Sequence, residues 1–194
     1  MSESISHSNH FWGFSKMTRT YHLERRQLVR RPLDEVFGFF SDAANLAALT
    51  PDSLHFTILT PLPIELAPGV RIEYRLRLFG VPFFWCTEIE TFEQGRRFTD
   101  IQAKGPYRRW HHTHEFRAVA EGTEVIDRVE YEMPLGWLGR IAHFLFVRRN
   151  LRKIFDFRRD TIEQLLNSNG TAATVNRSSN PKSPTSPGRE AGAL

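Results

Sequence analysis

Trp110, His112, His114 and Phe116 alternate through the segment "GPYRRWHHTHEF" (105–116). In a β-strand this two-residue spacing puts all four side chains on one face. The two aromatic hydrocarbons call for burial. The two imidazoles between them ionise near neutral pH, ligate metals and hold or move protons. Four uses fit such a face: a satisfied polar network in a core, a ligand cavity, a metal site and an acid–base pair. His-x-His is genuine ligand spacing, and Asp100 or Asp127 would supply an oxygen ligand. No third histidine has a geometric claim, because His111 points the other way, so no metal and no cofactor is assigned. An acid–base pair would draw on His112, His114 and Asp127 as candidate catalytic groups, with Tyr131 nearby. No Ser or Cys nucleophile stands in a recognisable elbow or dyad. Cys86, the single cysteine, falls on the outward face of its strand by parity and is read as incidental.

These side chains need a scaffold, and the hydrophobic pattern supplies one. "YHLERRQLVRRP" (21–32) reads as a charged strand stopped by Pro32. "LDEVFGFFSDAANLAALTP" follows with helical spacing, broken near Ser41–Asp42, which predicts two short helices. From residue 55 the period becomes two. "HFTILTPL", "GVRIEYRLRLFG", "VPFFWCTEIETFE", "RRFTDIQAKG", the opening segment and "TEVIDRVEYEMP" make six strands punctuated by Gly80, Gly95, Gly105 and Gly122. The last element, "GWLGRIAHFLFVRRNLRKIFDFRRDTIEQLL", is a long helix whose apolar stripe comprises Leu138, Ile141, Leu145, Leu151, Ile154, Phe155, Ile162 and Leu165. The expected class is α+β: a curved antiparallel meander, wet on one face, with its apolar face covered by the C-terminal helix.

Composition narrows the setting. The 194 residues carry 40% hydrophobic and 25% charged residues, ordinary for a globular domain. Residues 167–194 are polar and have little to bury, and residues 1–19 are polar apart from Phe11, Trp12 and Phe14, which fit a docking motif or an unpacked leader. The expectation is a flexible leader and a disordered tail around a domain at 20–166. No apolar run is long enough to span a bilayer, and the N-terminus lacks a signal-peptide pattern. A cytoplasmic location is the default expectation. The net charge of +4 is modest. Its densest cluster, Arg148, Arg149, Arg152, Lys153, Arg158 and Arg159, lies on the final helix. That cluster is either a solvated helix face or a patch for anionic lipid headgroups. With the aromatics expected inside, no stacking platform for nucleic acid is visible.

The element order, with "PLDEVFGFFSDAANLAALTP", "GPYRRWHHTHEF" and "LGRIAHFLFVRRNLRKIFDFR", resembles the START-like SRPBCC ligand-binding superfamily. Within it the chain is similar to the bacterial branch labelled polyketide cyclase/dehydrase or coenzyme-Q-binding-like. The resemblance covers about 20–166. It implies a helix-grip fold, with seven antiparallel strands around the long C-terminal helix and a hydrophobic tunnel between them. Members bind lipids, sterols, polyketides, quinones or plant hormones, and a minority are cyclases or hydroxylase components. The iron–sulfur and mononuclear iron motifs of the dioxygenase branch are not present in this chain.

In that fold, strand parity aims Tyr74, Trp85, Phe98, Asp100, Gln102, Trp110, His112, His114, Phe116, Asp127 and Tyr131 at the concave side. Aromatic walls with a few polar groups are the usual make-up of a small-molecule site. The function expected is binding, transport or presentation of a hydrophobic small molecule such as a lipid, isoprenoid quinone or polyketide-like aromatic. Two alternatives stay open: a cyclase or dehydratase using a His–Asp pair, and an interaction module with a filled core. Peripheral contact with an anionic membrane, through Arg148, Arg149, Arg152 and Lys153, is the other expected partner. Ligand identity and oligomeric state are not legible.

Overall fold

The computed structural model describes residues 19–78 and 80–167; the leader, apart from Arg19, and the tail from residue 168 lie outside the described residues. The chain opens with β1 (Thr20–Val29), then α1 (Leu33–Ser41) and two single 3-10 turns at Ala43–Leu46 and Asp52–Leu54. Six strands follow: β2 (Thr57–Ile58), β3 (Arg71–Leu78), β4 (Val81–Glu93), β5 (Arg97–Lys104), β6 (Arg109–Val119) and β7 (Gly122–Glu132). A continuous helical stretch of 32 residues closes the domain. It comprises α2 (Gly136–Ala142), a wide π-type turn at His143–Val147, α3 (Arg148–Ile162) and a second π-type turn at Glu163–Asn167.

All seven strands form one antiparallel sheet in the order β1-β7-β6-β5-β4-β3-β2. Consecutive strands are neighbours except at the start, where β1 pairs with β7 along its whole length, from Thr20↔Glu132 to Val29↔Thr123. The expected α+β helix-grip architecture is therefore the observed one. The strand expected over 55–62 is shorter than its pattern: only Thr57–Ile58 pair with β3. Pro61 and Pro63 lack the N–H a ladder needs.

The register of β4 shifts between Cys86 and Thr87 and again between Ile89 and Thr91. At the second shift Glu90 is the extra residue, so the inward parity passes from Trp85, Thr87 and Ile89 to Phe92. Phe92 then packs edge-on against Phe37 of α1, 5.5 Å between ring centroids. Such bulges add local twist and bend the sheet. Cys86 is on the outward side, opposite Glu73 and near Lys104, yet it is buried. Burial, followed by the charge of Glu73, pushes its thiol pKa up.

The core divides in two. Under α1, Phe37, Phe40, Phe98 and Phe116 interlock with Val29, Ile72, Ile89 and Ile162. Under the middle of α3, Leu151 and Phe155 meet Trp85, Trp110, Val129 and Tyr131. α3 is tied to the edge strand β1 by Arg25–Asp156 at 3.2 Å and by Gln27 Nε2 donating to Arg159 O at 3.0 Å. Asn167 extends the grip, its Oδ1 accepting from Arg30 N at 2.7 Å. The expected apolar stripe holds for Leu151, Ile154, Phe155 and Ile162, but Leu138, Ile141, Leu145 and, at the far end, Leu165 are exposed. The π-type turn shifts helical phase at residues 143–147, so apolar positions before it no longer line up with those after it.

The tight return from β6 into β7 tests this frame. Gly122 has φ +141°, and a Cβ there would lie 2.2 Å from the backbone oxygen of Val29. Gly122→Ala is expected to cost roughly 1–3 kcal/mol, read as a lowered urea midpoint with an unchanged m-value.

Candidate ligand-binding site

A cavity of about 190 Å³ lies between the concave sheet face, the 3-10 turns and α3. Its walls are apolar for most of their extent. Leu46, Leu54, Phe56, Leu66, Ile72 and Leu76 close one side, and Trp85, Trp110, Leu151, Ile154 and Phe155 close the other. Two polar spots interrupt them. At the first, Tyr74 OH and Trp85 Nε1 both reach Thr87 Oγ1, at 3.0 and 3.1 Å. This spot is satisfied internally, and burial pushes the Tyr74 hydroxyl pKa far up.

The second spot holds the chemistry. β5, β6 and β7 are adjacent, and register puts Asp100 opposite His112 and His114 opposite Asp127. Four polar side chains thereby share one inward patch. His114 Nε2 lies 3.1 Å from Asp100 Oδ2, and His112 Nε2 lies 3.2 Å from Asp127 Oδ1. His114 Nδ1 sits 2.7 Å from Asp127 Oδ1, a close electrostatic contact outside hydrogen-bond geometry. His112 Nδ1 makes only a 3.5 Å approach to Asp100. The imidazole rings lie 3.8 Å apart, with Phe98 stacked on His114 at 4.3 Å. Arg158, reaching in from α3 over the ring of Phe40, adds a positive charge, and its Nε is buried without a hydrogen-bond partner.

Both histidines are almost wholly enclosed, at 5% and 3% exposure, so their ionisation follows from their neighbours. Burial acts against a charged His114, but Asp127 and the bond to Asp100 outweigh it and raise its pKa above the usual 6.5. For His112, burial together with the adjacent charge of His114 wins, and its pKa is lowered. Burial would raise both carboxyls. Arg158 and His114 instead hold Asp127 well below the usual carboxylate range, and His112 and His114 lower Asp100. The consistent state is two carboxylates, one imidazolium, one guanidinium and one neutral imidazole, a cluster of no net charge.

Of the residues aimed inward by parity, Tyr74, Trp85, Phe98, Asp100, Trp110, His112 and His114 line the cavity. Four others lie elsewhere. Asp127 sits behind the histidines, against Arg158 and Phe155. Phe116 packs under α1 against Phe37 and Phe40, 5.2 Å from each. Gln102 is spent on the β5–β6 turn, exchanging two hydrogen bonds with the backbone of Tyr107. Tyr131 turns toward the α2 end, its hydroxyl 2.9 Å from His143 Nε2, with its own pKa pushed up to about 12 by burial. Parity assigns a face and says nothing about which strand or which neighbour claims a side chain. Asp127 and Tyr131 lie on β7 directly opposite the cavity-lining His114 and Trp110, Gln102 is drawn into the turn, and Phe116 lies further along β6 under α1.

Arg158, which its basic neighbours assign to a solvated helix face or a lipid-headgroup patch, instead lines the cavity. Its signal is in the sequence: Leu151, Ile154, Phe155 and residue 158 follow i, i+3, i+4, i+7, and the fourth place of that apolar stripe is an arginine. Asp100, His112 and His114 also present ligand atoms within 4.8 Å of one another, as a small divalent cation would need. The guanidinium opposes a cation there, and both carboxylates already have imidazole partners.

Residues 29–155 match the sequence pattern of the family described as polyketide cyclase / dehydrase and lipid transport. The chain belongs to that family. That family is of the START-like SRPBCC type, in agreement with the resemblance carried by the motifs. Among solved structures, the Zhui aromatase/cyclase from Streptomyces sp. R1128 aligns over 80% of this chain and 99% of its own, at 14% identity and TM-score 0.62. A protein of Thermus thermophilus aligns over 79% and 100%, at 18% identity and TM-score 0.58. A nucleoside-diphosphate sugar epimerase from Corynebacterium glutamicum shares the fold over 73% of this chain and 28% of its own, at 21% identity and TM-score 0.54. No curated protein sequence matches the chain. At these identities the structures establish the fold, while family membership and the largely apolar cavity support hydrophobic ligand binding in general.

The paired titrations have a measurable sign. A raised His114 contributes stability that is complete below pH 6.5 and is lost as pH rises through its folded pKa. The depressed Asp127 contributes above pH 3.8 and loses its share as pH falls through its folded value. His114→Phe keeps the ring volume but removes the imidazole hydrogen-bonded to the buried Asp100 and one of the positive charges beside Asp127, an expected cost of about 1–3 kcal/mol near neutral pH. Denaturant titrations across pH should show wild type losing stability above pH 6.5 and the variant lacking that decline.

Proposed function

We propose that this protein binds a small, mainly apolar molecule carrying one neutral polar group, such as a phenol or a ketone, in the cavity under α3. The carrying observation is the asymmetry of the walls: an aromatic and aliphatic enclosure with one polar patch able to accept a further partner. That patch, Asp100, His112, His114 and Arg158, has no net charge once Asp127 behind it is counted. A neutral hydrogen-bonding group is therefore accommodated without burying an unpaired ion. Size supports the same choice. A cavity of about 190 Å³ exceeds the roughly 150 Å³ that admits benzene and falls short of the roughly 300 Å³ where sites for drug-sized molecules begin. A lipid or an isoprenoid quinone would require α3 or the 3-10 turns to move outward.

One observation favours a second reading, acid–base chemistry on the bound molecule. His112 lines the cavity, is held neutral, is bonded to Asp127 through Nε2, and has a weakly engaged Nδ1 whose approach to Asp100 is 3.5 Å. That is the arrangement of a general base backed by a carboxylate. Turnover decides it: a cavity-sized ketone incubated with the protein in deuterated water would exchange its α-protons, and His112→Gln would abolish the exchange.

Calorimetry tests binding directly. 4-Ethylphenol should bind about tenfold more tightly than ethylbenzene, the worth of one buried hydrogen bond, with a negative heat-capacity change. Ile154→Trp fills the void and should remove both signals. Absence of binding by either probe, or equal binding to the filled variant, would overturn the proposal.

A further inference from the structure

The first turns of the long helix do not face the sheet. Leu135 is 77% exposed, Trp137 67% and Phe144 76%, and Leu138, Ile141 and Leu145 are also exposed. Residues 137, 141, 144 and 145 recur at helical spacing, so these side chains form one continuous face directed at solvent. A soluble surface seldom leaves so many large apolar groups together without a use. The rigid support beneath them is a stack of Tyr21 on His143, 3.5 Å between ring centroids, capped by the bond between His143 and Tyr131.

The charges around this face have one sign. It borders a groove of about 780 Å³ lined by Arg19, Arg25, Arg140, Arg148 and Arg152. Glu24, the single acidic residue on that groove, is already held by Arg26 at 2.8 Å and Arg128 at 3.2 Å. Arg140, Arg148, Arg149, Arg152 and Lys153 have no ion-pair partner among the described residues. Trp, Phe and Leu on one side of a helix, bordered by arginines, is the pattern of an element lying in a bilayer interface.

We propose that the α2 face, from Leu135 to Leu145, docks the domain onto an anionic lipid bilayer, the apolar side chains entering the acyl boundary while Arg140, Arg148, Arg149 and Arg152 meet the headgroups. Charge complementarity selects this occupant. A two-fold contact between copies of the chain would set the same unpaired arginines against each other. Four of the six apolar groups are aliphatic, which suits acyl chains better than a row of stacked nucleic-acid bases. The proposal rests on this surface alone and stands or falls independently of the cavity.

Flotation of the full chain with vesicles tests it. Binding to phosphatidylcholine vesicles containing phosphatidylserine should exceed binding to phosphatidylcholine alone and should weaken steeply with added salt. Arg148→Ala and Arg152→Ala should each reduce partitioning about fivefold. The double variant Trp137→Ser, Phe144→Ser should reduce it roughly tenfold or more, with the melting temperature unchanged because both side chains are exposed. Equal binding to neutral and anionic vesicles, or no binding to either, would overturn the proposal. So would a lipid-free melting temperature lowered by the double variant and equally by removal of residues 1–18, which would make the chain's own leader the occupant. Sedimentation showing a dimer that the double variant dissociates would likewise assign the face to a second copy.

Discussion

A seven-stranded sheet with one apolar face must hide that face from water, and here one long helical stretch, with the short α1 and two 3-10 turns, has to do it. A helix is about 10 Å wide with its side chains, while seven strands spaced about 4.8 Å apart extend far beyond that width. Curvature is the only way to bring the strands toward one helix, and the bulges of β4 supply it. Closure is complete at two places, where phenylalanines from α1 fill one end and Leu151 and Phe155 fill the middle. Between them the surfaces do not meet, and the cavity is that residue of incomplete coverage. It is therefore a consequence of how the core is sealed and not a separate feature added to it.

The polar patch is tolerated in this setting because its charges balance. An isolated carboxylate or imidazolium at such depth would be driven to neutrality by desolvation. Register across β5, β6 and β7 instead places two carboxylates against two imidazoles, and α3 delivers a guanidinium above them. Each charge stabilises its opposite, so removing one member changes the ionisation of the rest. The same coupling gives the cavity its selectivity in our reading. A ligand bringing a net charge would upset the balance, whereas a neutral donor or acceptor would add to the network.

The helix that seals the cavity is also longer than the strands it crosses. A stretch of 32 residues spans about 48 Å at 1.5 Å per residue, while the 11-residue strands β6 and β7 span about 37 Å. The excess has to project. The π-type turn at His143–Val147 decides how, because it shifts the phase of the residues before it and leaves their apolar side chains outside. One helix thus carries two amphipathic faces with different directions, the α3 face toward the sheet and the α2 face toward solvent.

What the chain alone determined is periodic. Alternation in β3, β6 and β7 marked strand faces, the 3.6-residue stripe marked α3, and the His-x-His step put two imidazoles on one side. Those signals are local, being set by backbone geometry within a few residues. The motifs carried the family and its fold for the same reason, as they span whole elements in order. What only the tertiary structure decided is long-range. The pairing of His112 and His114 with Asp100 and Asp127 depends on which strands lie adjacent and in what register. The separation of Gln102, Phe116 and Tyr131 from the cavity depends on which distant elements claim each side chain, the β5–β6 turn, α1 and His143 in turn, to which parity is blind. The entry of Arg158, and the exposure of Leu138, Ile141 and Leu145, depend on how one helix is phased and seated over a curved surface. No local pattern encodes that, because packing against distant residues settles it.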